Sequence, residues 1–517
     1  MLRKENKQMN ILSMLYSKIP EDHILKRISA AIDFSFINDL VKDSYCEDNG
    51  RPAKSPVLLL KLILLEYLYD YSDVQVIEQA NYNLAFLWFL DLNPDDTLPD
   101  PSLLAKFRTQ RLKDVTADEI ISEIIKQCLD KGLIKGTGLT VDATHIEANC
   151  KKKIPERIMG DLAKRIIKAL KKDCGEIPEG IDTEIPDYTV IEDHQESKET
   201  MKSYLEKLID EAAPFAGEST NIAVDEAKEV LSDEKFLQQK GIRSLVDKDA
   251  RVGNKSKTQQ FYGFKAEYTM MADERIITAV DVKSGEAVDG DNFGDLLKRT
   301  QESGIRVSEA YGDKAYFRKD ILELLRKKGI KDYIPVSAQV YRIDEEMFSY
   351  NKDSDTWQCR MGNETVKCKR CTQRKRDRKN VLTFLRYTFA KEGCINCPHR
   401  EKCMGKQKTR ARTLEVGTSA ALYYEKSQEQ KTPEFIEKYK KRSSQEWKNG
   451  EMKRFHGMAR ARGWGLRSMT LQVKLTSIAV NLKRIAALVG GKNLKYSFKI
   501  RIFSYKNMFN LNNYETG

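Results

Sequence analysis

The stretch TPEFIEKYKKRSSQEWKNGEMKRFHG, residues 432–457, governs how the rest of the chain is read. Thr432-Pro433 is a strong helix start, because a threonine oxygen can accept from a free amide of the first turn and proline at the first helical position gives up an N–H that has no partner there. No further proline follows and the first glycine is Gly450, so the spacing predicts one helix over 434–456, closed by Gly457. Tyr439, Arg442, Glu446 and Lys453 stand in it at offsets of 0, 3, 7 and 14 residues. At about 100° per residue these fall within an arc of roughly 60°, so the four side chains share one face. A solvated charged face is the plainest account of such a helix. Gly450 lies outside the set and costs the helix roughly 1 kcal/mol relative to alanine.

Two aspartates elsewhere give that face a possible chemistry. Asp142 closes the run Leu139-Thr140-Val141 and is followed by Ala143-Thr144-His145. Asp313 follows Ala310-Tyr311-Gly312 and precedes Lys314-Ala315-Tyr316. Both runs are β-type, and strand ends hold a ligating carboxylate more rigidly than loops do. If the two strands are neighbours the carboxylates meet; otherwise each aspartate simply caps the next turn.

Around these motifs the chain divides by pattern. Residues 1–132 read as an all-helical domain: Ser72 and Gln75 form a capping box before a helix expected over 76–92, and Asp100-Pro101 opens another through 111. From 133 to 336 the pattern is mixed α/β, with strands expected at 139–142, 262–271, 276–282 and 305–312. A charged helical insertion of about 151–258 separates the first two, basic over 151–172 and acidic over 176–199. A Cys-rich basic insertion occupies 337–432, with basic runs at 367–379 and 406–412. Residues 433–490 return to helix, where Leu475, Ile478, Leu482 and Ile485 form a core stripe and Lys483 and Arg484 are candidates to face a polyanion. An aromatic, basic tail fills 491–517.

Composition sets the class. The 517 residues carry 89 Lys and Arg against 77 Asp and Glu, a net charge of +12 that favours a polyanionic partner. The N-terminus shows no secretory pattern, and the most apolar run, 57–68, is broken by Lys61 and Glu66 and is shorter than the roughly 20 residues a membrane helix needs. A cytoplasmic protein with no membrane partner is expected. Six of the ten cysteines lie between Cys359 and Cys403, which suits a metal in a reducing compartment better than a disulfide scaffold. Cys368-x2-Cys371 and Cys394-x2-Cys397 have the spacing of a zinc ribbon or knuckle, with Cys359 and Cys403 available besides; reduced, unliganded cysteines are the alternative.

Tyr439-x2-Arg442-x3-Glu446-x6-Lys453 resembles in full the Y-R-E-K signature of one group of bacterial insertion-sequence DDE transposases. Leu58-Leu59-Leu60-Lys61 and Phe107-Arg108 resemble their helical N-terminal domain, Val141-Asp142-Ala143-Thr144 their first catalytic strand, and Gly312-Asp313-Lys314-Ala315-Tyr316 their second catalytic motif. Phe455-His456-Gly457 through Arg462-Gly463, then Asn481-Leu482-Lys483-Arg484-Ile485, are similar to their C-terminal helical end, so matching segments span about 55–487. The resemblance implies an RNase H-like α/β catalytic domain with two insertions, preceded by an all-helical domain that binds DNA ends. It implies that Asp142, Asp313 and Glu446 hold two Mg²⁺ ions, with Mn²⁺ as a substitute, for cleavage at the element ends and strand transfer. Tyr439, Arg442 and Lys453 would contact DNA phosphates. The implied partners are terminal inverted repeats and target DNA, with a dimer in the synaptic complex, at the nucleoid of a bacterial cytoplasm. Some related transposases carry a Cys-x2-Cys-x5-Cys run in the same insertion, which here is Cys394, Cys397 and Cys403 with Cys359 as fourth ligand; this set stands beside the two Cys-x2-Cys pairs. His145 is a packed histidine or a support for the metal site, and His456 is structural or a phosphate contact. Two features depart from the family pattern, the tail after about 490 and Asn449-Gly450 inside the signature. They keep open a catalytically silent transposase-derived DNA-binding protein, and an RNase H-like nuclease without strand transfer.

Overall fold

The computed structural model describes residues 10–46, 52–112, 114–233, 235–237, 241–255, 258–374, 381–404 and 411–490; the tail 491–517 and parts of the basic runs 367–379 and 406–412 lie outside the described residues. The first quarter is helical: α1 (Ile24–Ala31), α2 (Ile37–Val41), α3 (Pro56–Tyr69), α4 (Asp73–Tyr82), α5 (Leu84–Phe89), α6 (Ser102–Lys106) and α7 (Asp114–Asp130). Nearly every residue of α3 is buried, which its unbroken apolar run demands. Its two charges are paired inside: Lys61 with Asp91 at 2.6 Å, and Glu66 with Arg108 at 2.7 Å and Arg462 at 2.6 Å. The capping box at Ser72 is present. The single helix expected over 76–92 is two, because the Asn83 side chain accepts from the amides of Ala85 and Phe86 and starts α5 afresh.

A mixed sheet follows. Its strands are β1 (Gly138–Glu147), β2 (Arg251–Asn254), β3 (Gln260–Met271), β4 (Ile277–Ser284), β5 (Glu309–Tyr311) and β6 (Lys331–Tyr333). The order is β2-β3-β1-β5-β6, with β4 also on β3. β3 runs antiparallel to β1 and β4, whereas β5 is parallel to β1 and β6. Between β1 and β2 come α8 (Pro155–Cys174), α9 (His194–Ala212) and α10 (Glu218–Leu231), which bury a core of their own around Leu162, Ile166, Leu205 and Leu208. α11 (Phe293–Glu302) and α12 (Lys319–Lys327) flank β5 in sequence. The strand expected at 305–312 is only Glu309–Tyr311 long.

After β6 the chain builds two small sheets, β7 (Phe348–Asn351) with β8 (Thr356–Cys359), and β9 (Thr365–Arg374), β10 (Val381–Phe389) and β11 (Thr413–Gly417) in the order β11-β10-β9. α13 (Lys391–Ile395) and α14 (Arg400–Met404) sit between β10 and β11, and a cluster including Phe348, Trp357, Tyr387 and Phe389 fills the middle. α15 (Ala420–Glu429) leads back to α16 (Pro433–Tyr439), α17 (Ser443–Phe455) and α18 (Gly465–Val489). The one helix expected over 434–456 is interrupted by a 3₁₀ turn, Lys440–Arg442. Ser443 and Ser444 donate their hydroxyls to the Lys440 and Lys441 carbonyls, both at 2.8 Å, and such back-bonding tightens the turn.

α18 is the hub. Leu475, Ile478, Leu482 and Ile485 are fully buried, and the helix packs on α1, α3, α7 and β4. One hydrophobic core therefore runs from Tyr16 to Ala486, shared by the N-terminal helices and the sheet. Among the described residues no helix is long and apolar enough to cross a membrane.

Candidate active site

The sheet register brings the two aspartates together. Gly138, Leu139 and Thr140 pair with Glu309, Ala310 and Tyr311, so continuing both chains two residues sets Asp142 level with Asp313 at the point where β5 ends and the edge of β1 is open. α17 lies along that edge. Gln445 is buried and donates to Thr140 Oγ1 at 2.8 Å, and Asn449 donates from Nδ2 to Asp142 Oδ2 at 3.0 Å while its Oδ1 accepts from the Tyr268 hydroxyl at 2.8 Å. Asp313 also caps the turn after β5, accepting from the Ala315 amide at 2.8 Å. Capping and convergence on Asp142 thus occur in the same residue.

Arg442 stands between the acids. Its Nη2 lies 3.9 Å from Asp142 Oδ1 and 3.9 Å from Asp313 Oδ2, and its Nη1 is 3.1 Å from Glu446 Oε1. Burial raises the Asp142 carboxyl to about 6, with Asp313 pushing the same way and Arg442 opposing. Tyr439 is half-buried and stacked on Phe435, at the end of an aromatic row that continues through Tyr333 to Tyr311 and holds α16 against β5 and β6. Further along β1, Lys453 Nζ is 3.4 Å from His145 Nδ1. Burial and the neighbouring Lys255 bring Lys453 down to about 8, and burial with Lys453 brings His145 down to about 4, so at pH 7 the imidazole is neutral beside an ammonium that still carries its charge.

Tyr439, Arg442, Glu446 and Lys453 do not form the even face the spacing predicted. The 3₁₀ turn shifts the phase of α17, so Gln445 and Asn449 face β1, while the Glu446 side chain is 69 % exposed and reaches the acids only through Arg442. Among the described residues no three acidic, His or Cys side chains converge as a ready metal cage. Three carboxylates do share one guanidinium, and their hard oxygens are the donor type a divalent cation takes, with Arg442 now occupying the point between them. The sequence reading missed Asn449 and Gln445; Asn449 lies seven residues beyond Arg442, hence on nearly the same side of the helix, which was the available signal. His456 is structural: it is buried, with Nδ1 2.8 Å from the Tyr67 carbonyl. Lys483 and Arg484 turn inward, to Glu451 at 2.8 Å and to the Glu274 carbonyl at 2.7 Å.

The structure separates the cysteines into two groups. Cys359 at the end of β8, Cys394 on α13, Cys397 in the turn between α13 and α14, and Cys403 on α14 line one small cavity of about 30 Å³. Asn363 donates to Cys394 Sγ at 3.4 Å, and burial pushes the Cys403 thiol up, with the other three thiols adding to it. Cys368 and Cys371 are elsewhere, on β9, paired across to Tyr387 and Phe384.

Comparison with known proteins finds transposase domains at both ends of the chain. A transposase domain model, DUF772, matches residues 13–110, and a transposase DDE domain model matches residues 358–486, the segment that holds the cysteine cavity, Arg442 and Glu446. Asp142 and Asp313 lie outside both matches. No curated protein matches the chain. Among solved structures, the piggyBac transposase synaptic complex with hairpin DNA shares 11% identity and a TM-score of 0.33 over 93% of this chain and 78% of that one, too loose an overlap to define a fold. The DDE domain implies dependence on a divalent metal. With a transposase domain at its helical end and a DDE domain at its C-terminal end, the chain is a DDE-type transposase, a polynucleotidyl transferase and endonuclease that acts on DNA.

Proposed function

We propose that this is the transposase of a bacterial insertion sequence of the Y-R-E-K group, cutting DNA at the element's terminal inverted repeats and joining the freed ends to target DNA. The observation that carries it is the meeting of Asp142, Asp313 and Glu446 on a single guanidinium, that of Arg442. The catalytic domain is RNase H-like, a reading supported by the antiparallel β4-β3-β1 pairing followed by parallel β5 and β6, with α8–α10 and the segment 337–432 as its two insertions.

Asp142, Asp313 and Glu446 would hold two Mg²⁺ ions, with Mn²⁺ as a substitute. When bound, divalent metal supplies charge neutralisation at the scissile phosphate and an activated oxygen nucleophile. The protein's own residues do the rest. Asn449 fixes the Asp142 carboxylate from one side and is itself fixed by Tyr268. Gln445 anchors α17 to β1, so the carboxylate positions are set by a helix and a strand, not by loops. Arg442 neutralises the acids and can turn its guanidinium to phosphate, with Tyr439 and Lys453 as the flanking phosphate contacts. The helical domain 1–132 binds the DNA ends. Cys359, Cys394, Cys397 and Cys403 hold one structural Zn²⁺ that ties β8 to α13 and α14, a choice supported by their shared cavity. Two ends must be held at once, so the working form in the synaptic complex is at least a dimer, at the bacterial nucleoid.

The test is cleavage and joining of a labelled duplex carrying the inverted repeat that flanks the gene, in Mg²⁺, with the native chain and with Glu446→Gln. Joining by the native chain alone is expected. Binding of the repeat without cleavage by either protein would overturn the proposal.

A further inference from the structure

On the face of α17 turned away from β1 lies a cavity of about 620 Å³, backed by α1, α18 and the turn between β3 and β4. That is within the roughly 300–1,000 Å³ of small-molecule sites. Its lining includes Gly450, in the interior of α17, and a Cβ built there would meet nothing within 4 Å. Alanine would fit and would be worth about 1 kcal/mol to the helix, so no contact inside the protein calls for glycine. What a missing side chain does provide is close approach to the backbone from the cavity.

The walls carry two aromatics and more cations than acids: Asp22, Glu446 and Glu451 are the carboxylates among them, and Asp22 pairs with Arg27 at 3.7 Å. Arg275, Arg454 and Arg484 line the cavity and make no carboxylate ion pair among the described residues, whereas Lys448 and Lys483 in the same wall are both paired with Glu451. Arg484 is held below its ordinary range by burial and by Arg275, with Glu451 and Glu274 opposing, and its Nε donates to the Glu274 carbonyl, leaving its remaining N–H groups for the cavity. Neighbouring guanidiniums without a carboxylate ion pair of their own attract a phosphate. Trp447 is 75 % exposed and Phe455 52 % exposed, and both line the same space. An exposed indole beside arginines is the equipment that binds a base and its phosphate together.

We propose that this cavity binds a nucleotide, with its phosphate on Arg275, Arg454 and Arg484 and its base against Trp447 and Phe455 over Gly450. Glu446 lies in the shared wall, so the site opens beside the carboxylates; only this placement rests on the proposed function. A phosphate ester with a base reaches it either as an unpaired nucleotide of the bound strand or as a free mononucleotide.

The experiment follows tryptophan fluorescence of the full chain during titration with a short 5′-phosphorylated single-stranded oligonucleotide, with dAMP and with inorganic phosphate. The native chain should show a saturable change that Trp447→Leu abolishes and that Gly450→Leu and Arg275→Ala each weaken by about tenfold or more. Gly450→Ala should raise the melting temperature yet weaken binding, which separates the cavity's role from folding. Oligonucleotide binding about tenfold tighter than dAMP identifies the bound strand as the source, and equal binding identifies the free nucleotide. No saturable change, an unaltered response in Gly450→Leu, or inorganic phosphate competing as well as dAMP would overturn the proposal. Asp142→Asn should abolish cleavage and leave the fluorescence response intact, so failure of the carboxylate site and failure of the cavity are told apart.

Discussion

Glu451→Gln is expected to destabilise the protein by on the order of 3 kcal/mol at pH 7, and to do so in a pH-dependent way. Glu451 sits on α17 between Lys448, 2.9 Å away and almost wholly buried, and Lys483 at 2.8 Å. Burial alone would raise its carboxyl, but the two ammonium groups overrule it and hold the acid at about 2, from an ordinary 4.5. At about 1.4 kcal/mol per pH unit, that depression amounts to roughly 3 kcal/mol. Lys448 is itself held below its ordinary range by burial, so the pair as a whole is worth less than Glu451's share. Removing Glu451 alone leaves a buried ammonium with no counter-charge, the case in which breaking a pair costs about 3–5 kcal/mol. Replacing both residues, as Lys448→Met with Glu451→Leu, should recover most of the loss, because the burial cost leaves with the charge. The sign follows from the depressed acid: its stabilisation is complete above its unfolded value and fades as pH falls from about 4.5 towards 2. Urea unfolding followed by far-UV circular dichroism at several pH values gives the gap between native and Glu451→Gln. A gap below about 1 kcal/mol at pH 7, or one that does not narrow in acid, would refute the reasoning.

Three further outcomes follow from the site. Asp142→Asn, Asp313→Asn and Glu446→Gln should each lower cleavage of a labelled inverted-repeat duplex by about a thousandfold or more, while a gel-shift assay shows the DNA still bound. Metal analysis after purification without chelators should find about one zinc per chain, lost in Cys394→Ser and kept in Cys368→Ser; an absence of zinc in the native chain would sink the four-cysteine site. DNA affinity should fall steeply with salt, and Lys453→Ala should flatten the log–log slope by about one; a salt-insensitive affinity would contradict a phosphate-contacting face.

Much of the site was legible because its parts are short-range. An apolar run ending in aspartate predicted a strand at Asp142, although β1 continues past it to Glu147 and Asp142 stands in mid-strand, paired with Tyr268; the run before Asp313 predicted β5, since strand patterning needs only a handful of residues. Helical periodicity found α17 and the stripe of α18. Three things escaped it. The 3₁₀ turn at 440–442 depends on serine hydroxyls choosing backbone carbonyls, a competition that apolar spacing does not register. The break at Asn83 depends on a side chain capping a helix in the middle of an apolar pattern. The union of the N-terminal helices with the sheet in one core depends on α18, whose contacts with α1, α3 and α7 join residues hundreds of positions apart. The cysteines show the same division: spacing offered two equally regular Cys-x2-Cys pairs, and only β8, α13 and α14 folding together separates the four that share a cavity from the two on β9.

α17 therefore has two working faces with different means of support. The side towards β1 is held by neutral hydrogen bonds, Gln445 to Thr140 and Asn449 to Asp142, which fix direction without adding charge to a site already crowded with acids. The opposite side is held by the Lys448–Glu451–Lys483 set, where charges close together make the helix position stiff at the cost of desolvation. Glu446 lies between the two faces, its backbone on the helix that both sides clamp and its side chain exposed. In the proposed metal site Glu446 would join the two aspartates by a rotamer change of its own exposed side chain and of Arg442, which costs far less than moving a helix through a packed core.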